Sequence, residues 1–320
     1  MNENVHSLCS LDPTRQLVQQ KNMDRRFPIL TYEHSRFEPF FGEEATHVEV
    51  TLLSGGACNS NYLVKNKNGD KYVCRLHNRG KPSTEHYITQ LAKEFVPAVE
   101  YLWIGCGVSI MRFIDGKHFR PTPTLLRHAG KLIAEMSKLK FERFGEIESN
   151  GKIEKIKGWD SYQSGLLSLL ANEKISTMLS YETLGTLTEI VHANGSIFED
   201  FDRSRNLVHG DFRPDNILVS GDSIVGILDW EFAHSGSSFM DIGNLLRHFP
   251  NEHDADVTQG LIEGGFELPP DWRYRAYLID LASHLEFLTS NRSPDFKKAC
   301  VERIENLIRI SDTEKGGMRQ

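Results

Sequence analysis

The stretch that decides the fold is Leu207-Val208-His209-Gly210-Asp211-Phe212-Arg213-Pro214-Asp215-Asn216-Ile217-Leu218-Val219, together with Ile224-Val225-Gly226-Ile227-Leu228-Asp229-Trp230-Glu231 just downstream. Short apolar and β-branched runs bracket a polar segment, the pattern of brief strands holding a rigid loop. Three side chains that end in oxygen stand at fixed offsets: Asp211, Asn216 and Asp229. Phosphoryl transfer needs a carboxylate to orient and deprotonate a hydroxyl, and hard oxygen ligands for a magnesium ion that bridges nucleotide phosphates. Asp211 suits the first task, and Asn216 and Asp229 suit the second. His-Gly-Asp by itself is a common turn; the spaced asparagine and the later aspartate set this segment apart from one.

Outward from this segment, the chain changes character once. Upstream, short β-rich runs are expected at His47–Leu53, Asn61–Lys65, Tyr72–Leu76, Ala98–Ile104 and Val108–Phe113. Turn signals separate them, such as Ser54-Gly55-Gly56 and Asn66-Lys67-Asn68-Gly69. One helix interrupts the strands, capped by Ser83 or Thr84 and running to Glu94. After Asp115-Gly116, helical periodicity dominates in Thr122–Lys138, Trp159–Ala171, Ile175–His192, Phe239–His248, Val257–Glu263, Pro270–Leu288 and Pro294–Ile310. The expectation is an α+β chain with a small β-rich lobe over residues 1–115 and a larger, mainly helical lobe over 116–320. Both ends are polar and weakly patterned.

The double motif resembles the catalytic and metal-binding segments of the aminoglycoside phosphotransferase and choline kinase-like enzymes, relatives of protein kinases whose catalytic loop reads H-R-D-x-x-x-x-N. His209-Gly210-Asp211 fills the first part of that loop, with Gly210 in place of the arginine, and Asn216 falls five residues after Asp211. The resemblance implies a two-lobed protein-kinase-like fold, ATP or GTP as co-substrate, Mg2+ as cofactor, and a small-molecule hydroxyl as acceptor. It sets Arg213 near the transferred phosphoryl and Asp229 where protein kinases carry the D-F-G aspartate.

Further residues take their roles from the same likeness. The segment Ser54-Gly55-Gly56-Ala57-Cys58-Asn59 puts small residues between two strands, where main-chain N–H groups can approach a triphosphate. An ordinary hairpin turn explains the same residues, and no Walker A sequence occurs. The resemblance makes Gly55, Gly56 and Asn59 part of the nucleotide-covering loop. It gives Arg75 the α- and β-phosphates, in place of the kinase lysine, with Glu85 as its partner and Glu94 as the rival. A solvated helix face accounts equally for Glu85. The run Ser109 to Gly116 is similar to the interlobe hinge, where the purine would bond to the carbonyl of Arg112 and the N–H of Ile114. Asp241 is expected to accept main-chain N–H bonds and fix His209–Asp211 as structural support.

Composition narrows the partners. With 37 Lys and Arg against 44 Asp and Glu, the net charge is −7, which argues against nucleic acid or an acidic membrane face. Residues 1–115 are balanced, at 13 basic and 13 acidic side chains, so the surplus lies beyond them. Five cysteines without a C-x-x-C pair suit reduced thiols. No secretory signal opens the chain and no apolar run is long enough to span a bilayer, so the expected address is cytoplasmic. Two acidic stretches, residues 173–202 and 250–271, would attract a cationic, aminoglycoside-like acceptor if they border the cleft; a solvated acidic surface reads the same. Other acceptors of the choline, homoserine, fructosamine or thiosugar type remain open. So does a non-catalytic kinase-like binding or structural protein, and so do ATP versus GTP and the oligomeric state. Trp230 and Glu231 are further candidates to face the acceptor.

Overall fold

The structure is a computed structural model that describes residues 27–53, 58–105, 107–249 and 253–317. Of the described residues, those from 27 to 80 together with 102–113 form one compact unit, and those from 81 to 101 together with 114–317 form a second.

Alternation builds the first unit. In β2 (Ser60–Lys65), Ser60, Tyr62 and Val64 point inward while their neighbours are half-buried, the period of two that a one-faced strand requires. Its partners are β1 (Glu49–Leu52), β3 (Lys71–Leu76), β4 (Tyr101–Gly105) and β5 (Val108–Arg112), in the order β1-β2-β3-β5-β4. Each strand matches an expected run, with the ends moved by one to three residues. Val64, Cys74, Leu76, Val108 and Ile110 form the core of this sheet, closed by Phe37 from helical turns spanning residues 34–47. The sequence reading held no helix there. Phe37 is fully buried and stacks on Tyr32 at 4.4 Å between ring centroids. Leu30 is tied in as well: its N–H donates to Ser60 Oγ (3.0 Å) and its carbonyl accepts from the Tyr62 hydroxyl (2.7 Å).

The second unit is helical around two small sheets. The helix α1 (Pro82–Ala92) begins at Pro82, whose missing N–H costs nothing in a first turn. There follow α2 (Pro123–Met136), α3 (Tyr162–Leu170), α4 (Glu173–Ser176), α5 (Tyr181–Ala193) and α6 (Gly195–Arg203). The single helix expected over Ile175–His192 is two, because the Ser180 hydroxyl accepts from the Thr183 N–H and starts α5 afresh. The helix α6 was not foreseen: no side chain caps its N-terminus, so the usual starting signal is missing. The chain ends with α7 (Phe239–Leu246), α8 (Asp254–Glu263), α9 (Trp272–Thr289) and α10 (Pro294–Gly317). Where α2 crosses α8, Gly130 lies on the Val257 carbonyl and Gly260 on the Arg127 carbonyl, so a methyl group at either would strike main chain.

The residues that open and close the decisive loop sit in different sheets. β9 (Asn206–Val208) belongs to a four-stranded sheet with β7 (Gly145–Ile147), β8 (Ile153–Glu154) and β12 (His234–Gly236). β10 (Ile217–Ser220) pairs with β11 (Ser223–Ile227) on one side and with β6 (Lys117–His118) on the other. The loop 209–216 is therefore anchored at both ends by separate ladders. Among the described residues no helix is long and apolar enough to cross a membrane.

Candidate active site

Asp241, in the first turn of α7, holds the start of the loop. Its Oδ2 accepts the His209 N–H at 2.8 Å and its Oδ1 the Gly210 N–H at 2.9 Å. The supporting role expected for this aspartate is what the geometry shows. Burial raises the Asp241 carboxyl to about 7, a shift the two N–H donors only partly offset.

His209 is fully buried and joins both halves of the motif. Its Nε2 lies 2.8 Å from the Leu228 carbonyl, which can only accept, so Nε2 carries the hydrogen and Nδ1 accepts from the Asp211 N–H at 3.2 Å. Burial lowers the imidazole's proton affinity despite the nearby Asp211 carboxylate. Neutral His209 is thus a fixed spacer between residues 211 and 228. Gly210 has φ +79° and faces the Phe232 carbonyl, where a Cβ would collide with main chain. The kinase arginine has no room at this position.

Asp211 and Asn216 are in direct contact. Asn216 Nδ2 donates to the Asp211 carbonyl (2.9 Å) and to its carboxylate Oδ2 (2.8 Å). Arg213 Nε donates to the same Oδ2 at 3.1 Å, and its Nη1 lies 3.6 Å from Asp215. The Asn216 side chain is fixed by these two bonds, so its remaining polar atom, Oδ1, is the one available to a cation.

Register brings Asp229 beside Asn216. Ile217 opposes Ile227, and the Leu228 N–H donates to the Asn216 carbonyl at 2.8 Å. Asp229 follows in the left-handed region, φ 59° and ψ 64°, as the one non-glycine residue with positive φ among the described residues. Such a conformation costs energy that neighbouring structure must hold in place, and it concentrates at functional sites. An amide oxygen and a carboxylate at the end of one hairpin are hard donors, the set that suits Mg2+ completed by phosphate oxygens. Among the described residues there is no group of three or more His, Cys, Asp or Glu side chains that could hold a metal.

Trp230 does not face an acceptor. It is 1% exposed, its Nε1 donates to the Ile227 carbonyl (2.9 Å) and its ring meets His209 edge-on at 4.8 Å. An aromatic next to a ligand residue looks functional in sequence; here it packs beneath the loop.

The expected nucleotide-binding residues divide between the units. In the first, Arg75 is buried on β3, and its Nε donates to Asn61 Oδ1 at 2.9 Å across the β2–β3 ladder. Asn59 Oδ1 accepts from the N–H groups of Asn78 (3.0 Å) and Arg79 (3.2 Å), which ties the segment before β2 to the chain leaving β3. Arg112 ends β5 opposite Tyr72. Gly55 and Gly56 lie outside the described residues. In the second unit, Glu85 in the first turn of α1 is 1% exposed, and its Oε2 accepts from the Tyr101 hydroxyl at 2.7 Å. That burial sets aside the solvated-face reading of Glu85. Ile114 packs its side chain over Gly226 of β11. The sequence reading did not single out Asn61 or Tyr101. Only strand register could have placed Asn61 opposite Arg75.

A sheet unit and a helical unit carrying this loop define the chain as an α+β protein of protein-kinase-like fold. The phosphotransferase enzyme family, often abbreviated APH, matches residues 49–278, and the chain belongs to that family. Among solved structures it is similar to a putative fructosamine-3-kinase from Thermobifida fusca, with 17% identity, TM-score 0.65, and coverage of 86% of this chain and 98% of that one. It is similar also to an ethanolamine kinase from Plasmodium vivax, with 14% identity, TM-score 0.63, and coverage of 94% and 96%. Aminoglycoside phosphotransferase APH(4)-Ia gives 18% identity, TM-score 0.63, and coverage of 87% and 99%. At these identities the likeness is one of fold. A probable acyl-CoA dehydrogenase IBR3 of Arabidopsis thaliana is 22% identical over 275 residues, 76% of this chain. The chain spans about a third of that relative's length, 32%.

Proposed function

We propose that this protein transfers the γ-phosphoryl group of ATP or GTP to a hydroxyl of a small molecule. The observation that carries the reading is the joining of Asp211, Asn216 and Asp229 at one end of the β10–β11 hairpin, with Asn216 bonded to the Asp211 carboxylate. Both side-chain contacts of Asp211 fall on Oδ2, which leaves Oδ1 as the atom to take the acceptor's proton while the hydroxyl oxygen attacks phosphorus. Arg213, held against Oδ2, presents its guanidinium to the transferred phosphoryl. Asn216 and Asp229 hold Mg2+, which when bound neutralises charge on the phosphate oxygens. Gly55, Gly56 and Asn59 cover the nucleotide, Arg75 steadies its phosphates, and Arg112 and Ile114 meet the purine through main chain. Residues 1–115 serve the nucleotide and 116–320 the acceptor.

The acceptor is an alcohol of the metabolite or antibiotic kind that the structural neighbours' names describe. The acidic stretches give little support to a cationic one. Asp200 pairs with Arg275 and Arg203, Asp271 with Arg275, Asp254 with Arg273 and Glu263 with Arg127. Four of the twelve acids in these stretches are matched in this way within the second unit. The free thiols of Cys58, Cys74 and Cys300 suit a reducing compartment and support a cytoplasmic address.

The reading is tested by measuring ADP or GDP release with Mg2+ across a panel of aminoglycosides, ethanolamine, choline, fructosamines, homoserine and thiosugars. One acceptor should raise release well above the acceptor-free rate, and Asp211→Asn should abolish the increase. No increase with any of them, from protein that binds Mg-nucleotide, would leave a binding protein in place of an enzyme.

A further inference from the structure

The second unit contains a cavity of about 160 Å³ where the C-terminal end of α7 meets α9 and α10. Arg247 and His284 project into it beside Asp280, all three nearly buried, with side chains 3% to 8% exposed. Arg247 Nη1 lies 3.5 Å from Asp280 Oδ1, and His284 Nε2 lies 3.2 Å from Asp280 Oδ2. Arg247 Nε reaches the Asn244 carbonyl at 3.4 Å. Arg303 also lines the cavity and is steadied by a bond from its Nη2 to the Arg247 carbonyl at 3.2 Å.

Arg247 Nη1 and Asp280 Oδ1 have only their 3.5 Å ion-pair contact with each other, and His284 Nδ1 is buried without a hydrogen-bond partner among the described residues. Native proteins rarely leave such atoms unsatisfied. The charges do not balance either. Two guanidinium groups, those of Arg247 and the half-buried Arg303, face one carboxylate, that of Asp280. The guanidinium carbon of Arg247 lies over the Phe287 ring, 5.4 Å from its centroid. Water would satisfy the hydrogen bonds but would not balance the second, half-buried guanidinium.

We propose that this cavity binds a small organic monoanion, a carboxylate carried on a short apolar body. A single surplus charge matches a carboxylate better than a phosphate dianion, and the planar fork of arginine takes carboxylate oxygens two at a time. Leu246, Leu281, Ile304 and Leu307 supply the apolar part of the wall. Its size fits: an engineered cavity of about 150 Å³ holds a benzene ring. Arg247 follows α7 at the end away from Asp241, six residues or about 9 Å along the helix.

Calorimetry on the full chain, with benzoate as the probe and benzyl alcohol as its neutral counterpart, tests this. Benzoate should bind saturably and at least tenfold more tightly than benzyl alcohol. Arg303→Gln should weaken benzoate at least tenfold and leave benzyl alcohol unchanged, while Mg-ADP binding shows that the variant is folded. Leu307→Trp, which fills the cavity, should abolish both. Benzoate binding no tighter than benzyl alcohol, or equal in wild type and Arg303→Gln, would overturn the proposal and leave the cavity to water.

Discussion

Asn216 grips Asp211 through a single amide nitrogen that serves both the Asp211 carbonyl and its carboxylate, at 2.9 and 2.8 Å. The asparagine thereby fixes the proposed base and leaves its own Oδ1 for the proposed metal. Asp211→Asn removes the proton acceptor and keeps the shape. Its kcat should fall about 10²–10⁴-fold, the usual worth of a general base, with nucleotide affinity retained. Asn216→Ala should lose both kcat and Mg2+-dependent nucleotide affinity. Single-turnover rates and nucleotide titrations with and without Mg2+ separate the two, and full activity in the Asp211 variant would remove the assignment.

Asp241 adds a pH dependence with a defined sign. Its folded carboxyl is raised to about 7 from an ordinary value of 3.8, burial being the main cause. The folded state therefore binds more protons than the unfolded state between these values. The stability contributed by the protonated group is complete below about pH 4 and is lost as pH climbs to about 7. At roughly 1.4 kcal/mol per pKa unit the loss amounts to a few kcal/mol. Asp241→Asn has no such titration, and with one acceptor oxygen it leaves one of the two N–H groups unpaired, at about 1–3 kcal/mol. The wild type should exceed the variant in stability most at pH 4, and the gap should shrink toward pH 7. Chemical denaturation across that range checks this; a gap independent of pH would contradict it.

Much of this site is legible in the sequence because the chemistry is local. Asp211, Arg213 and Asn216 share one loop, and Asp229 is brought back by a tight hairpin, so spacing alone implies proximity. The five strands of the first unit are equally readable, since Ser60, Tyr62 and Val64 alternate with more exposed neighbours. What escapes is set by distant partners. Helix α6 starts at Gly195 without a capping side chain, and its burial depends on Ile197, Phe198 and Phe201 meeting elements far along the chain. β7, β8 and β12 are two or three residues long and exist through pairing, not propensity. Trp230 belongs under His209 for a reason that only the folded loop reveals.

The left-handed backbone of Asp229 sets stability against function. Aspartate tolerates this region better than most residues, but glycine adopts it without the steric cost, which is roughly 1–2 kcal/mol. Asp229→Gly should leave the melting temperature unchanged or raised while Mg2+-dependent nucleotide binding and turnover disappear. A marked drop in melting temperature would show that the side chain holds the hairpin together instead.

Gly210 allows neither a side chain nor a different φ. At φ +79°, with the Phe232 carbonyl pressed against the place a Cβ would occupy, Gly210→Ala must move either β12's approach or the loop itself. The Asp241 contacts to His209 and Gly210 N–H would break with it. The expected result is a folded but less stable protein, destabilised by about 2–4 kcal/mol for strain plus an unpaired buried group, with kcat reduced much more than nucleotide affinity. Wild-type kcat in this variant would show that the loop can shift without moving Asp211.

Ion pairing within the acidic surface bears on the acceptor. Arg275 Nη1 lies 2.9 Å from Asp200 and its Nε 2.8 Å from Asp271, with the side chain 16% exposed. One half-hidden cation thus joins α6 to the segment before α9, and Arg203 pairs with Asp200 from the other side. Carboxylates already matched in this way exert a weak field on a distant ligand, and salt screens what remains within about 10 Å at 0.1 M. For any acceptor found, KM should change less than about twofold between 50 and 300 mM salt. Arg275→Ala frees two carboxylates; it should lower stability by about 1–2 kcal/mol and, for a cationic acceptor, make KM salt-dependent where it was not. A wild-type KM that rises steeply with salt would return the acidic stretches to the acceptor site.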